Sequence, residues 1–189
     1  GETFVLVDAG ISGKRITQGL AGIDRKPEEL SGILITHEHT DHISGLAVLL
    51  KRTSAPVYAL PAVALCLRSM IPEKKEQIFF VEESFSLEGF DITPIQTLHD
   101  SADSCGWRIE TEEDTFGLCT DLGVVTEEVL DGLCGVRCAR HNNTPSKALE
   151  TVCGHLDACL PEVLRPTVAC APEREFLTVE IGETVLCML

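Results

Sequence analysis

The sequence lacks several features that would commit it to a particular place or partner. No apolar run approaches the roughly 20 residues that a helix needs to span a bilayer, so no membrane-spanning segment is expected. The opening residues, GETFVLVDAG, carry no basic segment and no cleavage pattern, so no secretory leader is expected. There is no internal repeat and no low-complexity linker. Basic residues are scarce, 15 Lys and Arg against 30 Asp and Glu, and the formal charge is −15. That balance argues against a surface that coats nucleic-acid phosphates passively. Nucleic acid stays open as a substrate, because bound metal ions reverse the local field.

What is present is an ordinary globular composition, 44% hydrophobic and 24% charged over 189 residues. The length suits one domain spanning residues 1–189. The nine cysteines are odd in number, irregularly spaced and set in apolar segments such as AVALCL around Cys66. They read as buried thiols in a reducing cytoplasm, the expected location. A structural zinc site from Cys134, Cys138, His141, Cys153 and His155 has the ligand types but no paired short spacing.

Helix and strand signals alternate along the chain. Phe4–Asp8 and Gly32–Thr36 read as apolar strands, with a helix from about Lys14 to Ile23 and a helical turn at Pro27–Leu30 between them. From Asp41, the spacing of Ile43, Leu46, Ala47, Leu49 and Leu50 predicts one amphipathic helix. PVYAL reads as a strand, and PAVALCLRSM as a helix opened by proline. QIFFV, SFSLEGFDITPIQTL, CGWRIET and DTFGLCTD carry strand patterns. TEEVLDGL and TPSKALETVCGHLDACL read as helices capped by Thr, and PTVACA and EFLTVEI as closing strands. The mixture predicts an α/β domain with two sheets and external helices.

The densest chemistry lies in THEHTDH, residues 36–42, which holds three of the six histidines. Alternate side chains of an extended backbone share a side, so His37 and His39 are expected to point to one place, with Glu38 turned away. Asp41 and His42 follow at the start of a helix. Imidazoles beside a carboxylate suit zinc, manganese or iron. The protease helix motif His-Glu-x-x-His is not met, because Asp41 stands where its second histidine would be.

THEHTDH resembles the His-x-His-x-Asp-His signature of the metallo-β-lactamase superfamily. FVLVDAG resembles that superfamily's first motif, PIQTLHDSADSCGWRI its third and GLCTDLG its fourth. DAGISGK, THEHTDHISGL, TDLGVVTEEV and NNTPSKALE are similar to the YycJ/WalJ-type bacterial proteins, exonucleases that act on DNA from the five-prime end.

The resemblance implies a two-sheet αββα sandwich and two divalent metal ions, zinc or manganese, with iron possible. His37, His39 and His99 would hold the first ion. Asp41, His42 and a further ligand would hold the second, and Asp121 would bridge the two. Asp41, His42 and Asp121 would thereby carry the catalysis. Asp8 would support a ligand, and Asn142 and Asn143 would face the substrate. Each of these also has a plain structural role open to it: a strand-end histidine for His99, an N-cap for Asp121, a turn residue for Asp8, and a helix-entry turn for the asparagines.

The resemblance further implies an additional N-terminal strand and a His-bearing segment near 135–141 that this sequence does not carry; the expected histidine position falls near Arg137. The implied activity is metal-dependent hydrolysis of a phosphodiester, a 5′–3′ DNA exonuclease. The same scaffold allows another ester or a thioester as substrate. With its second site incomplete, it also allows an inactive metal-binding variant.

Overall fold

The structure is a computed structural model. It describes residues 3–112 and 114–136, together with the backbone of four strands at 138–141, 167–170, 177–181 and 184–188. The chain divides into two compact units: Gly1–Glu82 with Arg174–Leu189, and Glu83–Glu173. Each is built on one six-stranded sheet, in keeping with the two-sheet α/β class expected from the sequence.

In the first unit, β1 (Phe4–Val7) lies at the sheet's centre, parallel to β2 (Gly32–Leu34) on one side and to β12 (Thr184–Met188) on the other. β3 (Val57–Ala59) and β4 (Ile78–Phe80) extend the parallel array beyond β2. β11 (Leu177–Ile181) closes the far edge as an antiparallel neighbour of β12. Every residue of β1 and β2 is buried, as expected of parallel strands covered on both faces. α1 (Gly13–Gly22) buries Ile16 and Leu20, and Ser12 caps it by accepting from the Arg15 N–H. α4 (Pro61–Met70) opens on its proline, as the sequence predicts, and buries Val63, Ala64 and Leu67.

In the second unit, β5 (Phe85–Leu87), β6 (Phe90–Gln96), β7 (Cys105–Glu110) and β8 (Thr115–Leu118) form an antiparallel meander. β9 (Cys138–His141) and β10 (Thr167–Cys170) continue it in parallel. The β5–β6 turn is Glu88–Gly89, with φ of 46° and 94°, the positive pair that a two-residue hairpin uses. α5 (Glu127–Leu133) is capped by Thr126, whose hydroxyl accepts from the Val129 N–H. Its Val129 and Leu133 pack with Ile95, Cys119, Leu122 and Val136.

The structure corrects two local expectations. The single helix expected from Asp41 is two short ones, α2 (Thr40–Ile43) and α3 (Leu46–Leu49). The Gly45 N–H, which would continue the helical ladder, instead donates to the Ala9 carbonyl at 2.8 Å. Helical periodicity cannot register such a diversion, because the competing acceptor comes from a distant part of the chain. β9 and β12 were not anticipated as strands either. CARH in β9 has no alternation to mark it, and its pairing with β8 is long-range. Arg137, Asn142, Asn143 and the helix expected at 144–160 lie outside the described residues, as do the side chains of Cys138, His141, Cys153 and His155.

Candidate metal centre

The first unit gathers six of the nominated or adjacent polar residues around the ends of β1 and β2. β1 ends at Val7, and Asp8 then turns off the strand in the left-handed region, with φ of 61°. Aspartate tolerates that conformation better than most residues. Its N–H still donates to the Leu34 carbonyl, so the carboxylate is placed by the β1–β2 pairing itself. The loop that follows is held against α2: Ala9 N–H donates to the His42 carbonyl at 2.6 Å, and Ser44 Oγ donates to the Gly10 carbonyl at 2.8 Å. The approach requires glycine. A Cβ on Gly10 would lie 1.6 Å from the Asp41 carbonyl oxygen, and one on Gly45 would lie 2.1 Å from that of Ile11.

Asp8 Oδ2 accepts a hydrogen bond of 2.7 Å from His42 Nδ1, with both side chains nearly sealed from solvent. A carboxylate on Nδ1 fixes the ring orientation and leaves Nε2 as the lone-pair nitrogen, the usual second-layer arrangement of a metal-binding histidine. Thr36 joins the same group, with its N–H 2.9 Å from Asp8 Oδ1 and its hydroxyl 2.9 Å from Oδ2. The His37 and His39 rings meet edge-on with centroids 4.7 Å apart, and those of His37 and His42 lie 4.0 Å apart. His37 and His39 therefore share a side, as the extended backbone predicts. His42 Nε2 and Asp41 Oδ2 are 4.0 Å apart. Two ligands of one zinc-sized ion can be separated by at most about 4.2 Å, twice the metal–ligand bond, so this spacing admits a common ion. Imidazoles with oriented rings, beside a carboxylate, form a donor set that fits a divalent metal.

In the second unit, His99 lies in the loop between β6 and β7. Reciprocal bonds between Thr97 and Ser104 pin the base of that loop, with Thr97 Oγ1 2.8 Å from Ser104 Oγ and Thr97 N–H 3.0 Å from the Ser104 carbonyl. His99 Nδ1 lies 3.2 Å from Asp100 Oδ1. Asp121 lies three residues beyond β8 and, like Asp8, has a positive φ, here 51°. It is buried. An isolated bridge between Leu98 and Val124 sets the His99 loop beside the Asp121 loop. Cys119, two residues before Asp121, is wholly enclosed, and burial pushes its thiol from 9.0 up to about 12. A thiol so placed is a packing group rather than a nucleophile.

Sequence reasoning missed Thr36. It looked for imidazole and carboxylate, and took this residue as the last of a buried strand. The available signal was a hydroxyl placed between an apolar run and the first histidine, where a buried polar group needs a partner.

A family model described as the β-lactamase superfamily domain matches residues 3–178. The chain belongs to this superfamily. Among its curated relatives is the exodeoxyribonuclease WalJ of Streptococcus pneumoniae, 35% identical over 130 residues, which are 66% of this chain and 48% of WalJ. Ribonuclease J 1 of Streptococcus pyogenes is 27% identical over 135 residues, covering 63% of this chain and 24% of the relative. The chain thus spans about half the length of the curated exodeoxyribonuclease it matches. Among solved structures, a diphosphatase of the PhnP family superposes with a TM-score of 0.62 at 19% identity, covering 81% of this chain and 64% of that one. That likeness establishes the superfamily fold for this chain. Among the described residues, no helix is long and apolar enough to cross a membrane.

Proposed function

We propose that the chain is the metal-binding part of a phosphodiesterase, a 5′–3′ exonuclease acting on DNA. The observation that carries this reading is the oriented cluster of Asp8, His37, His39, Asp41 and His42 at the ends of two adjacent strands. The likeness to WalJ supports DNA as the substrate, and the likeness to ribonuclease J 1 makes RNA the principal competitor.

In this reading residues 1–189 act as a single domain, and His99 and Asp121 are further proposed ligands. His37, His39 and His99 would hold one divalent ion, Asp41 and His42 would contribute to a second, and Asp121 is proposed as a carboxylate ligand of the centre. Zinc and manganese both suit these ligands. Such ions supply Lewis acidity for phosphodiester hydrolysis at neutral pH. They also reverse the local field at the site of a chain whose formal charge is −15. The chain's own contribution is placement. Asp8 holds the His42 ring, and the Gly10 and Gly45 contacts fix where Asp41 sits. Asn142 and Asn143 are proposed to face the substrate. The odd number and irregular spacing of the nine cysteines support a reducing cytoplasm as the location.

The test combines metal content per chain with cleavage of end-labelled duplex DNA, set beside RNA of the same sequence and a thioester. Near two ions per chain with 5′ end-label release from DNA is the expected result. Preference for RNA or the thioester overturns the substrate, and bound metal without any hydrolysis overturns the enzymatic reading. Asp41→Ala is expected to reduce metal-dependent cleavage to background; full activity in that variant overturns the assignment of Asp41.

A further inference from the structure

Thr36 is buried at 1% exposure, and its hydroxyl stands among three of the groups described above. Its oxygen lies 2.9 and 3.1 Å from the two Asp8 carboxylate oxygens, 3.0 Å from His37 Nδ1 and 3.3 Å from His42 Nδ1. A hydroxyl has one proton to give. An ionised carboxylate only accepts, so the Asp8–Thr36 contact takes that proton. The short contact to His37 can then be a hydrogen bond only if His37 Nδ1 carries a proton and donates it to Thr36 Oγ1. His42 Nδ1 donates directly to Asp8 at 2.7 Å. One carboxylate thereby orders two imidazoles, His42 by direct contact and His37 through the threonine hydroxyl.

We propose that Thr36 is a positioning residue that relays the hydrogen-bonding sense of Asp8 to His37, holding His37 as the Nδ1–H tautomer so that Nε2 is the nitrogen presented to a metal. The proposal rests on the metal-centre reading for its consequence, but not for its geometry. The hydroxyl, not the shape of the side chain, is the active element. Valine is nearly isosteric with threonine and removes the acceptor from His37 Nδ1. Serine keeps the acceptor and loses only a methyl group. Without the relay, His37 can populate the Nε2–H tautomer, which must be reversed before that nitrogen can bind a metal.

The decisive measurement needs no substitution. Long-range proton–nitrogen NMR on the full metal-free chain, above the ordinary histidine pKa range, distinguishes the two neutral tautomers of each ring. The expected result is Nδ1–H for both His37 and His42. Nε2–H at His37 overturns the proposal. In Thr36→Val, His37 is expected to become a tautomer mixture while His42, still on Asp8, does not change. Zn²⁺ affinity measured by chelator competition is expected to fall about 10–100-fold in this variant, the usual range for losing a supporting partner of a ligand. Thr36→Ser is expected to restore both the tautomer and the affinity. Native affinity in Thr36→Val overturns the relay. If the unsubstituted chain shows the expected tautomers but binds no Zn²⁺, the metal-centre reading fails while the hydrogen-bond assignment stands.

Discussion

Asp8 and Asp121 illustrate how much depends on the conformation of single residues. Asp8 follows the last residue of β1 and Asp121 stands three residues beyond the end of β8, and both turn with positive φ. At Asp8 the turn takes the carboxylate out of the alternating side-chain pattern of its strand. For Asp8 the outcome is a short bond to a histidine 34 positions away. Cys119 is the contrasting case, a reactive residue type made inert by enclosure. Its thiol pKa is raised from 9.0 to about 12 in the folded chain. The unfolded chain therefore loses this proton first as pH rises, and binds fewer protons than the native chain between those values. Stability contributed by the neutral thiol is fully present below about pH 9 and declines from there toward pH 12. Denaturant melts of Cys119→Ala beside the unsubstituted chain are expected to show a shallower decline across that window in the variant.

At the scale of elements, the junction between the Asp8–Gly13 loop and the α2–α3 pair governs the site. The loop supplies the acceptor that interrupts the helix at Gly45, and α2 supplies the carbonyl that holds Ala9. Gly10 is where the two backbones come closest, and the obstructing atom is a main-chain oxygen that no rotamer change can move. Gly10→Ala is expected to destabilise the chain by roughly 1–3 kcal/mol, the usual cost of forced backbone displacement. A thermal melt checks this. Metal affinity should fall with it, because Asp41 carries the displaced carbonyl. The sequence made the participants visible here but not their arrangement. His37, His39, Asp41 and His42 stood out by residue type and spacing, and Asp8 by the resemblance of FVLVDAG to a family motif. The split of the helix and the part played by Thr36 did not, because both depend on partners some 28–36 positions distant.

At the scale of the whole molecule, the chain forms most of one sheet, leaves it after Glu82 to form the second, and returns at Arg174 with two strands for the first. β1 thus pairs with a neighbour from the opposite end of the sequence. Residues set at the ends of strands in such an arrangement are held by contacts of long range, and any ligand that binds only the folded chain stabilises all of them together. A metal at 100 times its dissociation constant contributes about 2.7 kcal/mol, which for a chain of this size corresponds to roughly 5–10 °C in Tm. Removal of metal by a chelator is expected to lower Tm by that amount, and calorimetry of the metal-loaded and stripped chain checks it. An unchanged Tm counts against the proposed centre.

The fold class, the order of most elements and the residue types of the candidate centre were legible in the amino-acid order alone. Those properties are written in local periodicity, in turn residues and in a motif seven residues long. That Asp8 reaches His42, that Thr36 stands between Asp8 and His37, and that the Asp41 helix breaks at Gly45 became visible in the folded chain alone. Each is a choice among hydrogen-bond partners distant in sequence, and such a choice is made only when the pairing of β1 with β2 brings the candidates within 3 Å.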